Sequence, residues 1–187
     1  MKKSFDVIGI GSGCVDTLHT EKGRFVCQGG AVANTIYSLQ KLGLRTGYIG
    51  NVGDDKNGKI FSESLKSNGI DLSRLRMHGK TATCQIKVTH ERRDMFLQRH
   101  FNSMTKLAKN DISYLKSARS VFMRISSKVF KDTAKLCKAN NNMLFVSLHE
   151  LDTKLDVYNL IKSARINVIF SGMHRMHILV PYLDKIL

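Results

Sequence analysis

Short apolar runs alternate with amphipathic stretches along most of the chain. Runs typical of buried strands cover residues 5–10, 45–49, 121–125, 143–148 and 168–170. Helical spacing of apolar residues covers 34–42, 59–67, 128–139 and 157–164. In the first helix, Ile36, Leu39 and Leu42 are predicted to face inward, and Gly43 ends the helix. Strands that alternate with helices predict a mostly parallel sheet with helices on both faces.

Two adjacent runs, 82–89 and 94–101, break this alternation. Ile86 and Val88 alternate with Gln85 and Lys87, a period of two that is typical of half-buried strands. A polar turn at 90–93 separates the two runs. They therefore predict a small antiparallel flap beside the main sheet.

Composition restricts the class of protein. The 187 residues, 42% of them hydrophobic, predict a single domain with a real core. The formal net charge of +15 is spread along the chain without a basic block, and tryptophan is absent. This pattern favours a lysine-rich solvated surface over a nucleic-acid partner. No apolar run is long enough to cross a membrane, so a membrane is not expected as a partner.

Four cysteines, at positions 14, 27, 84 and 137, are far apart and lack the spacing of metal ligands. They are interpreted as reduced thiols, which predicts a cytoplasmic protein. The pair His174 and His177 supplies too few ligands for zinc. No metal-binding residue is predicted.

A first glycine-rich segment follows the opening strand. Gly9, Gly11 and Gly13 resemble part of a dinucleotide-binding fingerprint, but its third glycine falls on Cys14 or Asp16. A carboxylate at that place repels a pyrophosphate, so this alternative is not favoured. The segment instead predicts a glycine turn with the Asp16 carboxylate at its exit.

A second glycine pair, Gly29-Gly30, precedes Asn34 by one helical turn. Glycine has no side chain to block a ligand, and a helix start leaves free backbone amides. The Asp16 carboxylate only accepts hydrogen bonds, whereas the Asn34 amide both donates and accepts them. Together these residues predict a site for a polyhydroxylated ligand; the simpler alternative is a plain turn before a helix.

These residues carry a resemblance to a known family. The segments GGAVANTIYSLQKLG (29–43) and RTGYIGNVGDDKNGKIFSESLKSNGID (45–71), and the run Thr81-Ala82-Thr83-Cys84, occur in the family's order. The chain resembles the N-terminal part of the ribokinase/PfkB family of sugar and nucleoside kinases, nearest its adenosine-kinase-like branch. The resemblance spans about residues 5–180.

The resemblance implies an α/β three-layer sandwich with a mostly parallel central sheet and a small antiparallel β lid, truncated at the C-terminus. Residues 1–187 would form a single partial domain, with lid strands near 14–28 and 81–102. In the family, the residues matching Asp16 and Asn34 bind sugar hydroxyls, and those matching Gly29 and Gly30 let the backbone approach the ligand. Three further residues are candidates for phosphate or lid contacts: Thr83, Arg93 and Arg124.

Departures from the family pattern are equally informative. The Gly-Ala-Gly-Asp motif, which supplies the catalytic base and part of the ATP site, is absent. The family's magnesium-holding Asn-x-x-Glu motif aligns with Gly172–Arg175. Two acidic strand ends align with Arg124 and His149. ATP and Mg²⁺ would be expected of a complete member, but no catalytic residue and no cofactor are predicted for this chain alone.

Three hypotheses follow. The first is a truncated or degenerate ATP-dependent kinase that retains the half binding a small-molecule sugar or nucleoside. The exposed flap at 82–101 could pair with a second copy in a homodimer through the lid, but the residues leave the oligomeric state open. The second is a non-catalytic binding or regulatory module for a phosphorylated or acidic ligand. The third is a remnant that folds poorly. The residues do not distinguish which sugar or nucleoside is bound.

Overall fold

The computed structural model describes residues 3–89, 93–98, 104–148, 159, 161 and 164–171. The strands are β1 (Phe5–Ser12), β2 (Cys14–Thr20), β3 (Gly23–Gly29), β4 (Thr46–Val52), β5 (Asp71–Met77), β6 (Ala82–Val88), β7 (Arg93–Gln98), β8 (Ala118–Arg124), β9 (Met143–Ser147) and β10 (Val168–Phe170). The helices are α1 (Ala31–Lys41), α2 (Lys56–Ser67), α3 (Lys109–Lys116) and α4 (Phe130–Asn140).

Six strands form the central sheet in the order β10-β9-β8-β1-β4-β5, and every pair in it is parallel. Alternate residues of β1 face opposite layers, as the period of a strand requires. Ile8 and Ile10 join a cluster with Leu115 and Phe130 from α3 and α4. Val7 joins the opposite cluster, which contains residues of α1 and α2. The predicted three-layer α/β sandwich with a mostly parallel central sheet is confirmed.

A second sheet of four strands, β3-β2-β6-β7, forms the lid sheet. Its β2–β3 and β6–β7 pairs are antiparallel, but β2 and β6 run parallel. The predicted antiparallel flap is confirmed as the β6–β7 pair, and the lid sheet as a whole is mixed. The reason is connectivity. Strand β2 follows β1 and β6 follows β5, so both lid strands start from the carboxyl ends of parallel central strands and run in the same direction.

Helix α1 buries Val32, Ala33 and Ile36 against the sheet. The prediction that Leu42 faces inward is wrong, because the helix ends at Lys41 and Leu42 is 78% exposed. The following Gly43 has a φ of +86°, a left-handed conformation that favours glycine and ends the helix.

Two elements, β5 and α3, were not predicted from the apolar pattern. An ion-pair cluster joins them: the fully buried carboxylate of Asp111, on α3, pairs with Arg74 and Arg76 of β5. The Asp111 carboxylate also accepts a hydrogen bond of 2.8 Å from the Ala108 backbone amide. A buried charge is stable only with such partners. Charged residues therefore join β5 to α3, which is why the apolar pattern did not predict these two elements.

Several predicted features lie outside the described residues. They are the flap turn at 90–92, the end of the flap strand at 99–101, His149, most of the helix at 157–164, Gly172–Arg175 and the His174 and His177 pair. None of the helices in the described ranges is long and apolar enough to span a bilayer.

Candidate functional site

The two faces of the lid sheet carry different side chains. Strand alternation places Cys14 and Asp16 of β2 on one side, together with Cys84 of β6, which is in register with Asp16. We call this the front face. Val15 and Thr17 lie on the opposite side, the back face, where Val15 packs in the cluster that contains Phe61 of α2. Asp16 was predicted at the exit of a glycine turn; it instead lies half-buried within a strand.

The Asp16 carboxylate lies directly against Gly29. A Cβ atom added at Gly29 would be 2.2 Å from both Cγ and Oδ1 of Asp16, closer than real contacts allow. The Cys14 thiol donates a weak hydrogen bond of 3.4 Å to Asp16 Oδ1. Gly29 was predicted to let a ligand approach the backbone; the structure shows that it first makes room for the carboxylate itself.

Gly30 turns the chain from β3 into α1. Its φ of +97° strongly favours glycine, and it provides the N-cap residue of α1 without any side-chain cap. The first intrahelical bond runs from the Asn34 amide to the Gly30 carbonyl at 2.9 Å. The amides of Ala31, Val32 and Ala33 precede this bond, so they have no intrahelical acceptor. The turn thus places the N-terminal amides of α1 beside the β2–β3 pair, which carries Asp16 and Gly29.

Asn34 lies one turn into α1 and is exposed, whereas Ala33 and Ile36 beside it are buried. No residue in the described part of the chain hydrogen-bonds its side-chain amide. Asn34 is therefore held on a packed helix with its amide available to a ligand. Of the predicted residues, the structure brings Asp16, Gly29 and Gly30 into one corner, with Asn34 on the helix that begins there.

The other three predicted residues lie elsewhere. Thr83 pairs with Val15 and lies on the back face. Arg93 begins β7 opposite Val88, at the far end of β6 from the central sheet. Arg124 ends β8 in the central sheet, where the Ser127 amide donates to its carbonyl at 3.2 Å.

The thiols beside Asp16 remain protonated at neutral pH. Burial, followed by the charge of Asp16, raises the pKa of the Cys14 thiol far above its usual range. Burial and then Asp16 also raise the pKa of Cys27, which is in register with Asp16 on β3. Protonated thiols are poor nucleophiles. Cys14 therefore acts as a hydrogen-bond donor to the carboxylate.

One positioning cluster was not recognised in the sequence. Asp55 caps α2: its Oδ1 accepts hydrogen bonds from the Gly58 amide (2.8 Å) and the Thr81 hydroxyl (2.6 Å), and its Oδ2 accepts one from the Thr81 amide (2.9 Å). The Gly53 amide donates to the Thr81 hydroxyl at 2.9 Å. These bonds fasten the base of β6 to the start of α2. The spacing of an N-cap aspartate three residues before Gly58 was the available signal.

The Asp55 carboxyl group has a lower pKa than an ordinary aspartate. Burial opposes its charge, but the hydrogen bonds from Thr81 and Gly58 together outweigh burial and hold the pKa of Asp55 below its usual value. The cluster is therefore intact across the neutral range.

Comparison with known proteins identifies the family of this chain. The family model described as pfkB family carbohydrate kinase matches residues 3–169. The chain belongs to the pfkB family. Among curated relatives of this family, a 5-dehydro-2-deoxygluconokinase of Bacillus licheniformis is 34% identical over 82 residues, covering 40% of this chain and 25% of the relative. A fructokinase of Escherichia coli is 38% identical over 68 residues, covering 36% of this chain and 22% of the relative.

Solved structures of pfkB-type proteins share the fold. An Arabidopsis thaliana ribokinase complexed with ribose and ATP superposes with a TM-score of 0.81 at 17% identity, covering 97% of this chain and 64% of the ribokinase. An adenosine kinase from Sinorhizobium meliloti has a TM-score of 0.81 at 18% identity, covering 96% and 68%. This chain thus spans about two thirds of these two structures and about a quarter of the first curated relatives.

Within the described ranges, no three side chains of His, Cys, Asp or Glu are grouped so that they could hold a metal ion. Mg²⁺ prefers hard oxygen ligands, whereas the Arg124 side chain at the end of β8 offers hydrogen-bond donors and positive charge.

Proposed function

We propose that this chain is the substrate-binding portion of a PfkB-type kinase and that it holds a sugar or nucleoside by its hydroxyl groups. The ligand lies between the front face of the lid sheet, at Asp16, and the N-terminal end of α1, near Asn34. The observation that carries the proposal is the contact of the Asp16 carboxylate with Gly29. This contact sets a fixed acceptor beside the open amides of α1.

The chemistry of the corner suits vicinal hydroxyls. A hydroxyl donates one hydrogen bond and accepts two. The Asp16 carboxylate accepts from hydroxyls, the α1 amides donate to them, and the Asn34 amide does both. Bonds to a charged partner are worth about 1.5–3 kcal/mol each, so we expect Asp16 to contribute the largest part of the affinity.

The names of the related proteins suggest which ligands to test. They are kinases of 5-dehydro-2-deoxygluconate and fructose, with ribokinase and adenosine kinase among proteins of the same fold. A panel of these four compounds samples an acidic sugar, two neutral sugars and a nucleoside. We propose that at least one of them binds at Asp16.

We further propose that the 187-residue chain binds its ligand without phosphorylating it. None of its residues forms the Gly-Ala-Gly-Asp motif. Phosphoryl transfer needs a positioned base and neutralisation of the phosphate charge. The purified chain, mixed with ATP, Mg²⁺ and each panel compound, is expected to release no ADP above background. Turnover by this chain alone would contradict this part of the proposal.

Calorimetric titration of the panel into the purified chain tests the binding site. Asp16→Asn is expected to weaken the binding of the active compound by roughly 10- to 100-fold, since it removes a bond to a charged group, and Asn34→Ala by roughly fivefold, since it removes a neutral hydrogen bond. Asp54→Asn and Ser38→Ala are matched controls, because both residues are exposed near the site elements but are not among its proposed contacts. Equal losses in all four variants, or none in the first two, would overturn the proposed site.

We also propose that the protein forms a homodimer through the lid. Strand β3 is an edge of the lid sheet, and its Phe25 and Val26 are 52% and 45% exposed. An exposed apolar edge strand is a template for pairing with a second chain. Sedimentation at several concentrations is expected to show a dimer that Phe25→Lys dissociates. An unchanged sedimentation coefficient in that variant would refute lid pairing.

A further inference from the structure

A pocket of about 310 Å³ lies on the back face of the lid sheet, between β2, β3 and β6 and the first turns of α2. It is separate from the proposed sugar site, because Thr17 lines it while the adjacent Asp16 faces the other side of the sheet. Its volume is at the lower end of the range of small-molecule sites. The pocket is therefore large enough for a small metabolite.

The Thr17 side chain presents a polar group to this pocket. The residue as a whole is only 5% exposed, and it lines the pocket. No residue in the part of the chain that the structure describes hydrogen-bonds its hydroxyl, which is nevertheless not one of the fully buried atoms without a partner. The hydroxyl is therefore open to the pocket, where a ligand can accept a hydrogen bond from it or donate one to it.

Two cations line the same pocket from different elements: Arg24 from β3 and Lys56 from the first position of α2. Neither forms an ion pair with any residue of the described ranges. None of the residues lining the pocket is acidic. The nearest carboxylate named here, that of Asp55, is the N-cap of α2 and accepts hydrogen bonds from Gly58 and Thr81. The lining of the pocket therefore carries two positive charges and no negative one.

We propose that the back-face pocket is a binding site for a small phosphate monoester. Phosphate oxygens accept strong hydrogen bonds from a guanidinium and an ammonium group, and further bonds from hydroxyls and amides. Arg24 and Lys56 supply the charged donors, and Thr17, Thr83 and Asn57 supply neutral ones.

Apolar side chains complete the pocket. Val26 and Ile60 line it from β3 and α2, and they leave room for a small organic body next to the phosphate group. Inorganic phosphate should therefore bind more weakly than an ester such as glycerol 3-phosphate. This order distinguishes a built site from simple attraction to a basic surface.

Amide-resolved NMR titration of the full 187-residue chain tests the site. We expect inorganic phosphate and glycerol 3-phosphate, each added at constant ionic strength, to shift the amide signals of Thr17, Asn57 and Thr83 in a saturable way. Arg24→Ala and Lys56→Ala should each weaken the apparent affinity about tenfold. Both residues are exposed, so these variants keep the spectrum of the folded protein.

Lys22→Ala and Lys59→Ala are the matched controls, because these exposed lysines flank the same hairpin and helix without lining the pocket. They should leave the affinity within about twofold. The proposal is overturned if no saturable shift occurs at the pocket amides, if the controls lose as much affinity as Arg24→Ala and Lys56→Ala, or if those two variants bind normally. Sugar binding is measured with different ligands and variants, so either site can fail alone.

Discussion

The two faces of the lid sheet offer opposite chemistry to a ligand although neighbouring residues of one strand supply them. On the front face, Asp16 presents a carboxylate that only accepts hydrogen bonds. On the back face, Thr17 lines a pocket with Arg24 and Lys56, which only donate. We therefore expect the front face to select hydroxyl-rich ligands and the back face to select anions. The strand period of two is what separates these two proposed sites by a single residue.

The largest combined effect on ligand binding and on stability is expected from Gly29→Ala on the front face. The added Cβ would meet the Asp16 carboxylate at 2.2 Å, so the carboxylate or the strand must move. We expect sugar binding to fall at least about tenfold, and the free energy of unfolding to fall by about 1–3 kcal/mol, as for other overpacked sites. Calorimetry and denaturant unfolding measure the two quantities.

A double variant sharpens this prediction. Asp16→Ala removes the atoms that the new methyl group meets. Adding Gly29→Ala to Asp16→Ala should therefore cost little further stability, which is a coupling that a double-mutant cycle detects. If the two losses in unfolding free energy simply add, the contact with the Asp16 carboxylate is not the cause.

A crossed pair of substitutions tests the separation of the two faces. Asp16→Asn should weaken sugar binding by roughly 10- to 100-fold, the loss expected for a bond to a charged group, and leave phosphate binding unchanged. Thr17→Val should weaken phosphate binding by roughly fivefold, through loss of one neutral hydrogen bond, and leave sugar binding unchanged. Calorimetric and NMR titrations of both variants with both ligand classes provide the four values. A variant that affects both ligands equally would show that the faces are not independent.

Thr81→Val probes the base of the lid that both faces share. The variant leaves the buried Gly53 amide without an acceptor and removes a donor to Asp55. We expect the free energy of unfolding to fall by about 1–3 kcal/mol. Urea unfolding measures the loss, and the exposed Thr105→Val serves as the control. If the free energy of unfolding of Thr81→Val equalled that of the control, the Thr81 hydrogen bonds would not stabilise the base of the lid.

The Asp55 carboxylate makes this stabilisation pH-dependent. Because its pKa is lower in the folded protein than its usual value, its contribution is complete above about pH 4 and is lost as the pH falls through the folded pKa. In Thr81→Val, which removes one of the bonds that lower this pKa, stability should decline less than in the unmodified chain as the pH falls below about 4, the usual pKa of an aspartate. Unfolding measured across this range tests the sign.

The smallest effect is expected at a site remote from both faces. The Arg45 side-chain and backbone hydrogen bonds lower the pKa of Asp6 to about 2. Arg45→Gln should raise the pKa of Asp6 toward its usual value, whereas Arg119→Gln should change it less, since Arg119 acts only through its charge. NMR titration of the Asp6 carboxyl signal measures both shifts. Ligand binding on either face should stay unchanged in both variants.

The sequence predicted the parts of this molecule whose information is local. The central strands and α1 follow from apolar spacing, and the turn before α1 follows from the Gly29-Gly30 pair. The β5 strand was missed because Arg74 and Arg76 resemble solvent-facing residues. Their partner, Asp111, lies 35 or more positions away along the chain, so only the tertiary structure reveals why the carboxylate is buried and the two arginines are partly covered.

The face of the lid sheet on which Thr83 lies could not be predicted from local sequence patterns either. The alternation within β6 separates Thr83 from Cys84, but the pairing of β6 with β2 decides which of them shares a side with Asp16. That register is set by the connections of the lid to the central sheet and by packing on α2. The candidate sugar residues were grouped by motif, whereas the pocket around Thr17 draws on three strands and a helix that no motif joins.

The contact between Asp16 and Gly29 also constrains how the protein can change over generations. While position 16 carries a carboxylate, position 29 admits no larger residue without displacing it. A lineage can therefore relax the glycine only after it has given up the acid, and recovery of the acid then requires the glycine to return first. Two positions 13 residues apart would consequently be inherited as a pair, and their loss would proceed in a single order.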